Sequence, residues 1–283
     1  MTGLDYLKRE DSEIVKLSGP DGLDLLHRIS TNDLSMLQDG EHKETILTTE
    51  KGRIVDIVSV VRMDAETVLL IPSSPRAKAV KEWIEKFIIM ENVTASEEKG
   101  YVHYLLTGEA LGSGKPSDWV YFAVDSGNTR IGHFLVPREG EEQFKALLGE
   151  RGGRQMDPTE YQDFRIRAGM PEWPTEISGE VNPLEAGLGS LVNWTKGCYI
   201  GQEVIARLDT YKKVQKHLAQ FDLDERPEIL PVPILSQGVE IGVLTSVTSR
   251  AGYAGLGYLR TGHESDTMTL GEAGAGISLR RRK

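Results

Sequence analysis

Apolar side chains recur every three to four positions in several stretches of the chain, and this spacing is typical of amphipathic helices. The predicted helices are a segment that Asp21 caps and that contains Leu23 to Ile29, and the segments 76–87, 141–148, 158–168 and 202–217. Runs of alternating or β-branched residues predict strands at 13–17, 44–49, 53–62, 67–71, 120–124 and 129–136. Helices and strands mixed in this order predict an α+β fold with mostly antiparallel sheets.

The last 70 residues have a different pattern. Short strand-like runs punctuated by Gly or Pro lie at 218–223, 232–235, 239–246, 255–259 and 276–279. They predict a small β-barrel or sandwich. The closely spaced glycines of 252–257 precede no helix, so we interpret them as tight strand crossings rather than as a nucleotide-binding loop. The proline-rich segment 171–183 is expected to form an ordered surface loop.

The composition of the chain argues against several classes of function, among them nucleic-acid binding and metal binding. The chain has 283 residues, a formal net charge of −10 and one cysteine. The acidic balance argues against direct nucleic-acid binding, and a lone cysteine excludes an internal disulfide and an all-cysteine metal site. The six histidines lack metal-ligand spacing, so no permanently bound metal is expected. No apolar run is long enough to cross a membrane and residues 1–10 do not look like a targeting segment, so a cytoplasmic protein is expected.

The lone cysteine lies in the run Lys196-Gly197-Cys198-Tyr199-Ile200-Gly201-Gln202-Glu203. Gly197 and Gly201 allow a turn that holds Cys198 out of the core, and the start of the 202–217 helix follows. A helix N-terminus and Lys196 both favour the thiolate form. The pattern predicts an exposed, reactive thiol, and the alternative is a small buried side chain.

Arg165 stands near the predicted end of the 158–168 helix, just before Gly169-Met170-Pro171. Its planar guanidinium could bind a carboxylate or a ring acceptor through two parallel hydrogen bonds. Taken alone, the residues favour the alternative of a surface ion pair.

Several of these motifs together resemble one family. The residues 182–188 and 196–207 resemble the signature of YgfZ-type folate-binding proteins, which are relatives of the glycine-cleavage T-protein, an aminomethyltransferase. Further matching segments lie at 27–33, 52–56, 165–171 and 242–246. They follow the family order along nearly the whole chain.

The resemblance implies a three-lobed cloverleaf α+β fold with a central folate cleft and a C-terminal β-barrel. We expect an N-terminal folate-binding lobe at 1–110, a second lobe with the cysteine motif at 111–212, and the barrel at 213–283. The turn-rich segment 111–117 is consistent with the first boundary.

The resemblance also implies tetrahydrofolate or a derivative as ligand. The implied role is an accessory one in iron–sulfur cluster assembly or repair, with indirect effects on cluster-dependent tRNA-modifying enzymes, by a protein expected to be monomeric. Cys198 would be the reactive thiol, and Lys196 and Glu203 would tune or orient it. The expected folate-binding side chains are Arg165, Asp33, Asp56, Tyr199 and Gln202.

Two departures from the T-protein pattern bear on the reaction. Ala79 or Val80 stands where the T-protein has an aspartate ahead of the position of Trp83, and residues 128–133 offer no carboxylate for the pterin. An alkyl side chain cannot move a proton, which disfavours aminomethyl transfer from a lipoylated carrier. That reaction and a non-catalytic folate-sensing scaffold stay open as alternatives. If the protein is an enzyme, we expect a folate-dependent one-carbon transferase.

Overall fold

The computed structural model describes residues 4–73, 75–107, 116, 118–126, 129–250, 252–271 and 274–280. The chain divides into two compact units. The first unit comprises 1–49, 55–157 and 191–200, and the second comprises 50–54, 158–190 and 201–283.

The first unit contains ten strands and three helices within the described residues. The strands are β1 Asp5–Arg9, β2 Ile14–Ser18, β3 His42–Thr48, β4 Ile54–Arg62, β5 Thr67–Pro72, β6 Thr94–Glu98, β7 Tyr101–Thr107, β8 Val120–Ser126, β9 Thr129–Pro137 and β10 Arg154–Gln155. The helices are α1 Gly22–Ile29, α2 Ala77–Glu85 and α3 Glu141–Glu150.

These strands form two five-stranded sheets, ordered β3-β4-β5-β2-β6 and β10-β1-β7-β9-β8. Helices α1 and α2 bury their apolar faces against the first sheet, with Leu25, Leu26 and Val80 fully buried. Helix α3 covers the second sheet through Phe144. Strand β1 pairs with β10 in parallel, and the pairs β1–β7, β2–β5, β2–β6, β4–β5, β7–β9 and β8–β9 are antiparallel.

The second unit contains α4 Pro158–Ala168, α5 Gln202–Thr210 and a six-stranded closed barrel. Around the barrel the strands follow the order β11-β14-β13-β12-β15-β16. Their bounds are β11 Lys216–Leu223, β12 Val232–Ser236, β13 Val239–Val247, β14 Ala254–Arg260, β15 Met268–Leu270 and β16 Ala275–Leu279. Helix α4 packs on the barrel, where Ile166 contacts Ala254 and Leu256.

The predicted α+β class, the mostly antiparallel sheets and the C-terminal barrel are confirmed. The glycines of 252–257 mark a close strand crossing, as predicted, because a Cβ on Gly257 would lie 2.1 Å from the carbonyl oxygen of Val243. The lobe boundaries stay a prediction. Apart from Pro116, the turn-rich segment 111–117 lies outside the described residues.

Strands β1, β6, β7, β10 and β15 were not predicted from the pattern of residues. Strand β6 shows why: Thr94–Glu98 is an edge strand with no fully buried side chain, so it carries no alternating apolar signal.

The helix predicted over 202–217 is too long, because α5 ends at Thr210. Of its apolar residues only Ile205 is buried, and Tyr211 keeps 64% of its surface exposed. Tyr211, Lys212 and Lys213 are exposed, and β11 begins at Lys216.

The segment 171–183 is irregular as predicted, but only part of it lies on the surface. Pro174, Thr175, Gly179 and Glu180 are exposed, whereas Glu176 and Ile177 are fully buried, and Val181 and Asn182 nearly so. The buried part is held in the second unit through the carboxylate of Glu176, which accepts hydrogen bonds there.

In the described part of the chain, no helix combines the length and the apolar character that crossing a bilayer requires.

Candidate functional site

Cys198 is exposed and lies in the first unit, which confirms the predicted exposure and removes the buried alternative. It belongs to a segment of irregular backbone, residues 191–200, that we call the strap. The next residue, Tyr199, is buried with 8% of its surface exposed. The thiol therefore sits beside a residue that is packed into the unit.

Hydrogen bonds hold the strap at both ends, to Thr31 just after α1 at the first end and to Thr48 of β3 at the second. The hydroxyl of Thr31 donates to the carbonyl oxygen of Leu191 at 2.7 Å, and the amide of Asn193 donates to the carbonyl oxygen of Thr31 at 3.0 Å. At the other end, the hydroxyl of Thr48 donates to the carbonyl oxygen of Ile200 at 2.5 Å. These bonds join residues about 150 positions apart, so they are purely tertiary.

Asn193 shapes the middle of the strap. Its side-chain oxygen accepts hydrogen bonds from the amide of Thr195 at 2.9 Å, the hydroxyl of Thr195 at 3.1 Å and the amide of Lys196 at 2.8 Å. Such Asx turns replace backbone hydrogen bonds in irregular segments. The turn directs the chain into Lys196.

The ammonium of Lys196 binds three backbone carbonyl oxygens at the C-terminal end of α1. It donates to the carbonyl oxygens of His27, of Ser30 at 2.8 Å and of Asn32 at 2.8 Å. The last carbonyl groups of a helix lack partners within the helix and carry partial negative charge, so a cation stabilises them. The Lys196 nitrogen also lies 5.4 Å from the centre of the Tyr199 ring.

Neighbouring charges have opposite effects on the pKa of Lys196. Burial lowers the pKa of Lys196 to about 8, the carboxylate of Asp33 raises it and nearby Lys43 lowers it. Burial, with the charge of Lys196, lowers the pKa of His27. Hydrogen bonds from Ser35 lower the pKa of Asp33. At neutral pH the ammonium form of Lys196 therefore predominates beside an ionised Asp33.

A cavity of about 560 Å³ opens next to this cluster and is lined within residues 33–43. Asp33, Glu41, His42 and Lys43 supply its polar groups, and Met36 and Leu37 its apolar ones.

Asp56 lies elsewhere in the first unit, on β4, and is fully buried. Its Oδ1 accepts hydrogen bonds from the hydroxyl and the amide of Ser73 at 2.8 and 3.2 Å. Its Oδ2 lies 3.5 Å from Nη1 of Arg76 and, among the described residues, accepts no hydrogen bond. Burial raises the pKa of Asp56 to about 6. A buried acceptor of this kind is costly unless a further donor reaches it.

Arg165 lies in the second unit with 3% of its surface exposed, so the surface ion pair favoured from the residues alone is wrong. Its guanidinium donates to Glu176 at 3.0 Å, to Ser246 at 3.1 Å and, through Nε, to Gln162 at 2.5 Å, and it forms an ion pair with Glu172 at 2.9 Å. Glu176 also accepts hydroxyl hydrogen bonds from barrel residues, Ser246 among them. Arg165 thus links α4 to the barrel, and its contact with folate stays a prediction.

Gln202 and Glu203 form the first turn of α5 in the second unit, after Gly201 with φ +83°. Glu203 is exposed. Of the predicted site residues, the structure thus gathers Lys196, Tyr199 and Asp33 around the strap that carries Cys198. The partners of Lys196 were missed because backbone carbonyl groups leave no side-chain signature in a sequence.

Within the described residues, no group of three or more His, Cys, Asp or Glu side chains is arranged to hold a metal ion.

No protein-family model matches the chain. An aminomethyltransferase of Desulfitobacterium hafniense is 25% identical over 260 residues, which cover 82% of this chain and 71% of that protein. The crystal structure of glycine cleavage system aminomethyltransferase T from Bartonella henselae matches with a TM-score of 0.85, over 99% of this chain and 86% of that one. The chain is aminomethyltransferase-like.

Sequence identities show that this aminomethyltransferase-like chain is only distantly related to the proteins it resembles. The identity to the Bartonella structure is 17%, so that match shows the fold alone. A protein of Arabidopsis thaliana named "Putative transferase At1g60990, chloroplastic" is 29% identical over 300 residues, covering 93% of this chain and 67% of that protein.

Proposed function

We propose that this aminomethyltransferase-like chain is a folate-binding accessory protein of iron–sulfur cluster assembly or repair, with Cys198 as its reactive thiol. Its effect on cluster-dependent tRNA-modifying enzymes would be indirect, through their clusters. The observation that carries the proposal is the exposed thiol on a strap whose neighbouring residues, Lys196 and Tyr199, are anchored in the first unit. A structural cysteine needs neither exposure nor such anchoring.

One described residue, Asp56, offers a hydrogen-bond acceptor that suits the pterin ring of a folate, and this contact can be tested. Asp56 Oδ2 is a buried acceptor without a hydrogen bond among the described residues, and the pterin ring of tetrahydrofolate carries N–H donors. When bound, tetrahydrofolate would supply a carrier for a one-carbon unit. Asp56 would hold the ring through Oδ2 while Ser73 keeps Oδ1 in place.

An exposed thiolate can act in two ways on an iron–sulfur protein. It can accept or transfer a one-carbon unit at the cluster, or it can ligate the cluster transiently as cargo. Both need a thiol that a second protein can reach, and Cys198 is exposed.

The second candidate function is aminomethyl transfer, which is favoured by the names of the curated relatives. Ala79 and Val80 lie in the first turn of α2, and under the resemblance one of them occupies the place of the T-protein aspartate. An alkyl side chain can neither accept a hydrogen bond nor move a proton. Release of methylenetetrahydrofolate from an aminomethyl-lipoyl carrier would establish this candidate instead.

The thiol role is tested in cells that lack the protein, by measuring the activity of a cluster-dependent tRNA-modifying enzyme. Wild type and Thr210→Ser, an equally small change at an exposed position of α5, are expected to restore it. Cys198→Ser is expected to restore little. Full restoration by Cys198→Ser would refute the role of the thiol.

Folate binding is tested separately by anaerobic calorimetry with tetrahydrofolate on wild type and Cys198→Ala. We expect both to bind, because the proposed ring contact at Asp56 does not involve the thiol. Absence of binding in both would refute the folate part of the proposal and leave a thiol protein without that ligand.

A further inference from the structure

The partners of Lys196 form a cage of three carbonyl oxygens, those of His27, Ser30 and Asn32. All three can only accept hydrogen bonds, and an ammonium group has three N–H donors. One donor therefore meets each acceptor. The planar fork of an arginine does not direct three N–H groups from a single nitrogen, so this arrangement suits an ammonium ion better than a guanidinium ion.

Bonds that do not involve Lys196 hold the cage in place. The hydroxyl of Ser30 donates to the carbonyl oxygen of Leu26 at 2.7 Å, and the amide of Thr31 donates to that of Ile46 at 3.0 Å. The amide of Asn32 donates to the hydroxyl of Thr45 at 2.9 Å. Because α1 and β3 fix these carbonyl groups, the oxygens stay directed at one point when the lysine side chain is removed.

The strap is loosely packed where the thiol is. Gly197 and Cys198 are exposed, and a Cβ placed on Gly197 would have no atom within 4 Å. The position of Cys198 is thus set by its flanking residues, and Lys196 is the one whose side chain reaches the cage. Tyr199 holds the other side through burial.

We infer that the cage at the end of α1 is a binding site for an ammonium-type cation, and that Lys196, by filling it, is the positioning residue for the Cys198 thiol. The inference gains its functional meaning from the proposed role of Cys198, because a partner can engage only a thiol held in a defined place. The cage and its occupant are properties of the first unit alone and can be measured without folate or a cluster.

The test is amide hydrogen exchange of the strap at pH 7, followed at Asn193, Thr195 and Lys196, whose amides are hydrogen-bonded in the anchored strap. Lys196→Ala and Lys196→Met are expected to exchange at least about tenfold faster than wild type, since three hydrogen bonds to the ammonium are lost. The methionine keeps an unbranched apolar stem on Tyr199, so it separates the charge from the packing. Lys81→Met, which removes an ammonium paired with Glu85 on α2, is expected to leave the strap unchanged.

Occupancy of the cage is tested by adding n-propylammonium to Lys196→Ala. Propylammonium has three N–H donors and is expected to restore protection, whereas tetramethylammonium has none and is expected to restore nothing. Wild-type exchange in Lys196→Met, no restoration by propylammonium, or equal restoration by both ions would overturn the inference. If the exchange results hold but Cys198→Ser restores cells fully, the positioning stands and the proposed function fails.

Discussion

Several ionisable side chains of this protein are shielded from water and interact with a few specific neighbours. Lys196 is half-buried, and its ammonium binds three carbonyl oxygens from the end of α1. The predicted stabilisation of the Cys198 thiolate by this ammonium stays a prediction. Glu44 and Asp56 are carboxyl groups whose burial raises the pKa of each, to about 7 and about 6. Such groups lower stability at neutral pH, and proteins retain them where function uses them.

Glu44→Gln is expected to stabilise the protein at pH 8 and to change little at pH 4. The pKa of Glu44 is raised in the folded state by burial and by Asp125, so the stability it contributes is present below about pH 4.5 and is lost as pH rises through about 7. Removing the ionisable group should recover about 1–3 kcal/mol at pH 8. Urea unfolding at both pH values measures this, with exposed Glu41→Gln as the control. Equal effects at pH 4 and pH 8 would contradict it.

Asp56→Asn is expected to weaken tetrahydrofolate binding by about tenfold or more, the typical effect of removing a charged hydrogen-bond acceptor. The amide keeps an oxygen for Ser73 but places a donor or a neutral oxygen where Oδ2 was. Calorimetry against wild type measures the change, and Asp24→Asn, an exposed carboxylate on α1, is the control. Unchanged affinity in Asp56→Asn would remove this residue from the folate site.

At the scale of the elements, the close approach of strands decides where glycine is required. Strands β13 and β14 cross so tightly that Gly257 has no room for a side chain. Helix α3, by contrast, carries Gly149 at a position where a Cβ would meet no atom within 4 Å. The same substitution should therefore have opposite effects in the two elements.

Gly257→Ala is expected to destabilise the protein by about 2–4 kcal/mol, because β13 and β14 must separate to admit the methyl group. Gly149→Ala is expected to stabilise it by about 0.5–1 kcal/mol through the lower backbone entropy of the unfolded chain. Thermal unfolding of the two variants beside wild type measures both effects. A Gly257→Ala protein as stable as wild type would show that the barrel admits the methyl group without strain.

At the scale of the whole molecule, the buried His103 and the partly buried His133 are expected to control the response to acid. The hydroxyl of Ser12 lies 2.7 Å from Nδ1 of His103, and Nε2 of His103 lies 3.0 Å from Nδ1 of His133. Burial lowers the pKa of His133 to about 3 and holds that of His103 well below its ordinary value. Both rings are therefore neutral in the folded state at neutral pH.

The free energy of unfolding is expected to fall as pH decreases from about 6.5 toward 3. Across that interval the unfolded chain takes up protons on these histidines and the folded chain does not, so acid favours unfolding. Replacing His133 by Phe should flatten the pH dependence, whereas His263→Gln at a partly exposed position of the barrel should not. Parallel pH profiles for wild type and His133→Phe would show that another group controls acid unfolding.

The sequence by itself determined the α+β class, most helices and strands, the β-rich character of the C-terminal region and the exposed position of Cys198. These follow from periodic apolar residues and from glycines, which act over a few neighbouring positions. Only the tertiary structure decided the partners of Lys196, the burial of Arg165 and the lack of a hydrogen bond at Oδ2 of Asp56. Each depends on residues distant in the chain or on backbone carbonyl groups that every residue carries, and neither leaves a local pattern to be recognised.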